Sequence, residues 1–309
     1  MMLGRRVLGV AWCVTLGVAC AWGQGTRPAI TGVSHMSVYV SDAAASDHFY
    51  SVILGASKGV DPQDAHGVRY YFSPTQFVEV LPLPAEHGIS RMARVSYSTV
   101  DAAGLRGYLV AHGVSSAGEV QTGSDGSHWF ETKDPEGNEV EFFQVGRLPK
   151  LPADAKPIST RIIHVGYAVH SKAAEDRFYK DVLGFRPYWY GAMKDDHVDW
   201  VSQQVPDGHD WIEYMLVGDG SGTTVESLNQ DHLGVLNHFS LGVVNMEKTV
   251  TTLTAEDRLS PKRSGPQLGR DGKWQENLYD PDATRAEIME FQPVAKPCCS
   301  GFTAESPVK

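Results

Sequence analysis

The segment RIIHVGYAV, residues 161–169, decides the fold because it alternates large apolar residues with small or polar ones. Neighbouring residues of a strand point to opposite faces, so this pattern predicts a half-buried strand. His164 shares its face with Gly166 and Ala168, while the bulky residues lie on the other face. Small residues beside a polar one are typical of a strand that lines an open cavity.

Three other segments follow the same pattern: 32–40, 93–99 and 236–243. The residues in the register of His164 are His35, Arg94 and His238. Seven residues after each of these four positions stands a residue suited to cap a helix, and helical stretches follow at 44–54, 102–112, 172–183 and 246–256. The capping candidates are Asp42, Asp101, Ser171 and Asn245. The sequence therefore predicts four strand–helix units.

Each unit closes on a strand that carries a glutamate. The closing strands are predicted at 76–81, 138–144, 211–217 and 285–291, with Glu79, Glu141, Glu213 and Glu287. The intervals from opening position to closing glutamate are 44, 47, 49 and 49 residues. Such regular spacing indicates an internal repeat of one strand, one helix and about three further strands, which is an α+β fold.

The repeats group into two domains. The segment 148–159 contains three prolines and no hydrophobic period, so it is predicted to be a linker. The domains are then 28–147 and 160–295, followed by a C-terminal tail, 296–309. The tail holds the adjacent pair Cys298-Cys299, for which a feature without a catalytic part, a vicinal disulfide and an intermolecular bridge all remain open.

The chain has 309 residues and a formal net charge of −10, which argues against binding to nucleic acid or an anionic membrane surface. Arg5 and Arg6 precede an uncharged apolar run at 7–22, which is short for a membrane span. Residues 1–23 are therefore predicted to be a signal peptide, and the mature protein to be secreted or periplasmic.

His164, Glu213, His238 and Glu287 are the predicted metal ligands. They occupy equivalent positions in the third and fourth units. Imidazole nitrogens and carboxylate oxygens suit one divalent ion of Zn, Mn, Fe, Ni or Co. With four protein ligands, such an ion has room for water or two substrate oxygens.

The repeated units resemble the vicinal oxygen chelate superfamily, which includes glyoxalase I, bleomycin-resistance proteins and extradiol dioxygenases. The matching motifs are HVGYAV from His164, WIEYML around Glu213, NHFSLGV around His238 and DPDATRAEI ending near Glu287. The resemblance implies four βαβββ modules paired into two domains, with one metal between units three and four. It also implies that Glu213 or Glu287 detaches from the metal and acts as the catalytic base.

The sequence departs from this family pattern at several positions. Arg94 stands where a metal histidine is expected, so the N-terminal domain is predicted to be metal-free. The segment GRDGKWQENLYDPD, ending at Asp282, lacks the histidine expected of extradiol dioxygenases. Ala283 replaces the usual glycine of the turn before the last strand.

The predicted function is metal-assisted isomerisation, epimerisation or lyase chemistry on a small oxygen-chelating molecule. An Fe(II) extradiol-type dioxygenase and a non-catalytic binding protein are the alternatives. Arg270, Lys273, Trp274 and Gln275 are predicted to line the substrate cavity, although a solvated hairpin explains them equally well. No partner other than the small molecule is expected, apart from a possible second copy in a homodimer.

Overall fold

The computed structural model describes residues 26–195, 197–218 and 221–309. The predicted signal peptide, 1–23, lies outside these residues. The described chain forms two eight-stranded mixed sheets with few helices, which confirms the predicted α+β fold of four repeated modules. Among the described residues, no helix is long and apolar enough to cross a membrane.

The first sheet has the order β2-β3-β4-β1-β5-β8-β7-β6. Its strands are β1 Ile30–Val40, β2 Ser57–Val60, β3 Val68–Ser73, β4 Gln76–Pro82, β5 Met92–Thr99, β6 Gln121–Thr122, β7 His128–Lys133 and β8 Glu139–Gln144.

The second sheet repeats that order as β10-β11-β12-β9-β13-β16-β15-β14. Its strands are β9 Ile162–Val169, β10 Arg186–Gly191, β11 Trp200–Gln204, β12 Trp211–Leu216, β13 His238–Val243, β14 Arg263–Leu268, β15 Trp274–Tyr279 and β16 Arg285–Glu290. The two opening strands of each sheet lie side by side at its centre and run antiparallel.

The strand register explains the regular spacing of the glutamates. Each opening strand pairs in parallel with the closing strand of its own module, and a small residue lies opposite each glutamate. These pairs are Ser37 with Glu79, Ser96 with Glu141, Gly166 with Glu213 and Ser240 with Glu287. All four glutamates therefore emerge near the centre of a sheet.

The helices are α1 Ala43–Asp47, α2 Ala102–Ala111, α3 Lys172–Asp176, α4 Gln230–Leu236 and α5 Met246–Ala255. Helices α1 and α3 continue as π-helical turns, His48–Ile53 and Arg177–Val182. All four predicted capping side chains accept a backbone N–H at the start of their helix, which confirms the sequence interpretation.

Two tyrosine–aspartate hydrogen bonds join the two halves of the chain. The Tyr50 hydroxyl donates to Asp280 at 3.0 Å, and the Tyr167 hydroxyl donates to Asp134 at 3.2 Å. Both aspartates begin the turn before a last strand, and each tyrosine comes from the other half. Ala283, in one of these turns, has a φ of 73°, the left-handed conformation that glycine usually supplies.

The C-terminal tail is ordered against the second sheet. Cys298 and Cys299 form a vicinal disulfide, one of the alternatives that the sequence left open. The hydroxyl group of Tyr188 in β10 lies 2.6 Å from that of Ser306. The Thr303 amide donates to the carbonyl of Tyr188 at 3.0 Å. The tail thus follows the edge strand β10.

Candidate metal centre and cavity

Three of the predicted ligands converge at the centre of the second sheet. The Nε2 atoms of His164 and His238 lie 3.0 Å apart, and Glu287 Oε2 lies 3.1 Å from the first and 3.8 Å from the second. Both histidines are fully buried and Glu287 is 3% exposed. These three residues form a group whose ligand atoms lie close enough together to hold one metal ion.

Hydrogen bonding and burial prepare these side chains for a metal. His238 Nδ1 donates to the carbonyl of Leu236 at 2.8 Å, so its Nε2 presents a lone pair to the site. Burial holds the pKa of His238 well below its usual value, with further lowering from Arg285 and His164. Among the described residues, Glu287 Oε2 has no contact with a donor other than His164 Nε2, at 3.1 Å, and His164 Nδ1 has no hydrogen-bond partner. Two imidazole nitrogens and a carboxylate oxygen this close together fit a divalent cation.

Glu213, the fourth predicted ligand, lies slightly apart from the other three. Its Oε2 is 4.0 Å from His164 Nε2 and 3.7 Å from His238 Nε2, and its side chain is 13% exposed. The Ser202 hydroxyl donates to its other oxygen at 3.4 Å. The structure therefore brings Glu213 to the site, at the side that opens to the cavity.

The two carboxyl groups have opposite pKa shifts. Burial raises the pKa of Glu213 to about 8, and the nearby charge of Glu287 adds to this rise. Burial also opposes ionisation of Glu287, but Arg285 and His164 outweigh it and hold the pKa of Glu287 below its usual value. Glu287 is thus ionised at neutral pH, while Glu213 can carry a proton. Such a difference between paired carboxyl groups is a signature of acid–base assignment.

A cavity of about 260 Å³ opens above the group. Aromatic side chains form part of its wall, and Glu213 and Glu287 also line it. The aromatic lining residues are Tyr188, Trp189, Trp200, Trp211 and Phe302. Trp211 also stacks on the ring of His164 at a centroid distance of 4.5 Å. The site is therefore open to a small molecule from an apolar, ring-lined side.

The four predicted substrate-binding residues have different positions. Arg270 and Gln275 line the cavity, and Arg270 also donates to the carbonyl of Ala192 at 2.9 Å. Lys273 is fully buried behind the wall, and burial lowers its pKa to about 8. Trp274 lies on the opposite face of β15 and lines a separate surface hollow beside α5. Its expected position in the cavity was wrong, because successive strand residues alternate faces.

The sequence interpretation missed several residues of the site. Trp211 and Arg285 stand two residues before Glu213 and Glu287, on the same strand face. Both residues can be predicted from the sequence, because residues two apart in a strand share a face. Arg285 approaches Glu287 with an N–O distance of 3.8 Å. No sequence pattern indicates that Phe302 belongs to the site, because only the folding of the tail brings it to the cavity.

The equivalent place in the first sheet holds an ion-pair cluster. Arg94 donates to Glu79 at 2.6 Å, and its Nε lies 3.4 Å from Glu141. His35 Nε2 lies 3.2 Å from Glu141. Arg94 is therefore paired with carboxylates, and its guanidinium stands among the residues that correspond to the metal group of the second sheet.

Comparison with known proteins finds one family model that matches part of the chain. Residues 163–273 match the model of the Glyoxalase/Bleomycin resistance protein/Dioxygenase superfamily. No curated protein matched the sequence.

Similar solved structures cover both sheets. The 2,3-dioxygenase LapB from Pseudomonas sp. KL28 has a TM-score of 0.62 and 16% identity, over 88% of this chain and 98% of that one. The Mn(II)-bound glyoxalase from Novosphingobium aromaticivorans has a TM-score of 0.61 and 18% identity, over 85% and 83%. The E323L mutant of homoprotocatechuate 2,3-dioxygenase from Brevibacterium fuscum has a TM-score of 0.61 and 16% identity, over 90% and 74%. At these identities the likeness concerns the fold.

The second domain therefore matches the vicinal oxygen chelate superfamily in sequence over residues 163–273, and the two tandem domains share the fold of the solved structures named above.

Proposed function

We propose that the protein is a metal-dependent enzyme that moves a proton on a small molecule with two adjacent oxygens, as an isomerase, epimerase or lyase of the glyoxalase type. The proposal rests on the position of Glu213, whose carboxyl group faces the cavity beside the His164–His238–Glu287 group. A carboxylate that borders both the metal group and the cavity is placed to take a proton from a bound molecule and to return it.

His164, His238 and Glu287 would hold the metal, with Glu213 as a fourth, detachable ligand. A divalent ion bound there supplies Lewis acidity that polarises a substrate carbonyl and acidifies the neighbouring C–H. Glu213 then takes that proton on the oxygen that faces the cavity and returns it at the adjacent carbon. Ser202 donates to the other oxygen of Glu213 and fixes the orientation of the carboxyl group.

The aromatic wall has two roles in this proposal. Trp211 stacks on His164 and keeps its ring in the plane needed for ligation. Trp189 and Trp200 stack on each other at a centroid distance of 6.4 Å and reduce the access of water to the cavity. A dry site strengthens the electrostatic interactions that control the proton.

The proposed location is outside the cytoplasm, in the periplasm or the medium. The support is the sequence alone, since the positive residues Arg5 and Arg6 and the apolar run at 7–22 form a signal-peptide pattern. The substrate would then be an extracytoplasmic small molecule. Detection of the mature N-terminus near residue 24 in the periplasmic or secreted fraction would support this, and an intact N-terminus in the cytoplasm would contradict it.

Solvent exchange tests the proposed chemistry without knowledge of the natural substrate. Protein loaded with Zn²⁺, Mn²⁺ or Ni²⁺ is incubated with α-hydroxy carbonyl compounds in D₂O, and deuterium uptake at the carbon next to the carbonyl is followed by NMR. We expect uptake with the wild type and none with Glu213→Gln, although the variant keeps its metal. Tight binding of the compounds without exchange or product would instead favour a sequestering protein.

A second candidate function is an extradiol-type Fe(II) dioxygenase. Two histidines and one carboxylate are the ligand set of many non-heme iron oxygenases, and the dioxygenases named above share the two-domain fold. Among the described residues that line the cavity, however, none is a histidine that could act beside the metal. Oxygen uptake with catechol after anaerobic loading with Fe(II) would favour this function over proton transfer.

A further inference from the structure

Residues 298–308 of the C-terminal tail are attached along the edge of the second sheet. The Thr303 amide donates to the Tyr188 carbonyl, and the Tyr190 amide donates to the Ser300 hydroxyl at 2.9 Å. The Tyr188 hydroxyl lies 2.6 Å from that of Ser306. Strand β10 is the outer strand of its sheet, so the tail covers an edge that would otherwise have unpaired backbone groups.

This attachment carries Phe302 into the wall of the cavity. The Phe302 ring lies 4.9 Å from that of Tyr188 and 6.5 Å from that of Trp189, between ring centroids. Phe302 is one of the cavity-lining residues, although more than 100 positions separate it from β10. The tail thus completes a wall that the strands alone leave open.

Behind this wall lies a buried cation. Lys273 is fully buried, and its Nζ lies 4.9 Å from the ring centroid of Trp211, 5.2 Å from that of Phe302 and 5.7 Å from that of Tyr188. It also donates to the Tyr188 hydroxyl at 3.4 Å. Cation–π contacts offset part of the cost of burying an ammonium group. Removal of Phe302 would open a path from the cavity to this cation.

We propose that the tail is a built-in wall of the substrate cavity, with Phe302 as the residue that sets its width and seals Lys273 from solvent. The substrate class would be compact molecules, no larger than about one ring, that present two adjacent oxygens. A cavity of about 260 Å³ lies just below the usual range for ligand sites, which fits this size. The substrate part rests on the proposed function, whereas the position of the tail does not.

Chemical labelling of Lys273 tests the position of the tail without any metal. The full-length chain is treated briefly with acetic anhydride, and the acetylation of each lysine is measured by mass spectrometry. We expect Lys273 to be protected in the wild type and its labelling to rise by about tenfold or more in Phe302→Ala, because local opening controls access to buried groups. Lys262 is exposed, so equal acetylation of Lys262 in all samples shows that they received the same dose of reagent.

Trp274→Ala is the matched control for this labelling. It removes an aromatic ring next to Lys273 in sequence, but from the opposite face of β15. We expect Lys273 to stay protected in this variant. Ser306→Ala removes only the hydroxyl partner of Tyr188, and the labelling of Lys273 should lie between the wild-type and Phe302→Ala levels. Because this change is small, increased labelling in it reports a loosened tail and not a general folding defect. Equal protection of Lys273 in the wild type and in Phe302→Ala would overturn the proposal.

Ligand selectivity tests the width of the cavity. Binding of catechol and of the bulkier 3-phenylcatechol to the Zn²⁺-loaded protein is measured by calorimetry. We expect the wild type to prefer catechol and Phe302→Ala to lose that preference by about tenfold or more, with unchanged zinc affinity, since the added space relieves a clash. An unchanged preference would contradict the role of Phe302 in selectivity.

Failure of the proposed function and failure of the tail proposal give different results. A wild type that binds no zinc would contradict the proposed function. If Lys273 is nevertheless protected in that protein and exposed by Phe302→Ala, the tail still forms the wall.

Discussion

Gly166 and His238 lie directly opposite each other on the two central strands of the second sheet, and the imidazole occupies the space that a side chain at Gly166 would need. A Cβ atom added to Gly166 would lie 2.2 Å from His238 Cε1, far inside van der Waals contact. The small residue that marked this strand face in the sequence is therefore a requirement of the ligand geometry.

The first prediction concerns this contact. Gly166→Ala should displace the His238 ring and weaken metal binding by more than about tenfold, since a ligand moved by an ångström no longer fits the ion. Metal affinity is measured by competition with a chelator. Gly107→Ala is the control, because a Cβ there meets nothing within 4 Å, and it should stabilise helix α2 by about 0.5–1 kcal/mol. Unchanged metal affinity in Gly166→Ala would contradict the account of this contact.

The second prediction separates the two carboxyl groups of the site. Glu287→Gln should reduce metal affinity by more than about a hundredfold, beyond the usual loss from a residue that only orients a ligand. Glu213→Gln should reduce it by only about tenfold, because Glu213 lies farther from both ring nitrogens. Both affinities are measured by the same chelator competition. Equal losses in the two variants would show that Glu213 is held as firmly as Glu287.

The third prediction concerns the ion-pair cluster of the first domain. Arg94→Met leaves Glu79 and Glu141 buried without their cation, and should destabilise the protein by about 3–5 kcal/mol at neutral pH. Arg106→Met is the control, since the Arg106–Glu119 pair is largely exposed and its loss should cost no more than about 1 kcal/mol. Urea unfolding measures both. Similar values for the two variants would show that Arg94 is not the structural cation of this cluster.

The fourth prediction is a pH dependence centred on Glu175 in helix α3. Both of its carboxyl oxygens are buried without a hydrogen-bond partner, and burial raises its pKa to about 9, with Asp134 adding to the rise. The unfolded chain loses this proton near the ordinary value of 4.5, whereas the folded protein keeps it. The stability that Glu175 contributes is therefore complete below pH 4.5 and is lost as the pH rises towards 9.

Glu175→Gln removes this dependence. Its stability relative to the wild type should grow with pH, by at most about 1.4 kcal/mol for each pH unit between 4.5 and 9. Thermal unfolding of the metal-free proteins across this range measures the difference. Two curves that stay parallel would contradict the burial of an unpaired Glu175.

The sequence predicted the repeat and most of its local structure, because these depend on short-range rules. Strand β9 has the predicted bounds 162–169, and Asp42 and Asn245 cap their helices as expected. Glu290 lies on the face of β16 opposite Glu287, where it accepts the Met246 amide at the start of α5. The period of two gives the bounds of β9, and capping rules give both helix starts.

Features that depend on distant contacts were not predicted. Helix α4, just before His238, is short and ends at Leu236, a residue that the sequence pattern assigns to the strand. The π-helical turns after α1 and α3 have the composition of ordinary helix. The cavity wall needs Phe302 from the tail to meet Tyr188 from β10, and no local pattern carries that pairing.

We propose that the second domain holds one divalent metal ion on the His164–His238–Glu287 group. Elemental mass spectrometry of the protein purified without chelators, beside His238→Ala, tests this directly. We expect about one metal ion per chain in the wild type and almost none in the variant, since loss of one ligand leaves too few donors. A wild type that stays metal-free after reconstitution with Zn, Mn, Fe, Co and Ni, or a His238→Ala variant that keeps its metal, would contradict it.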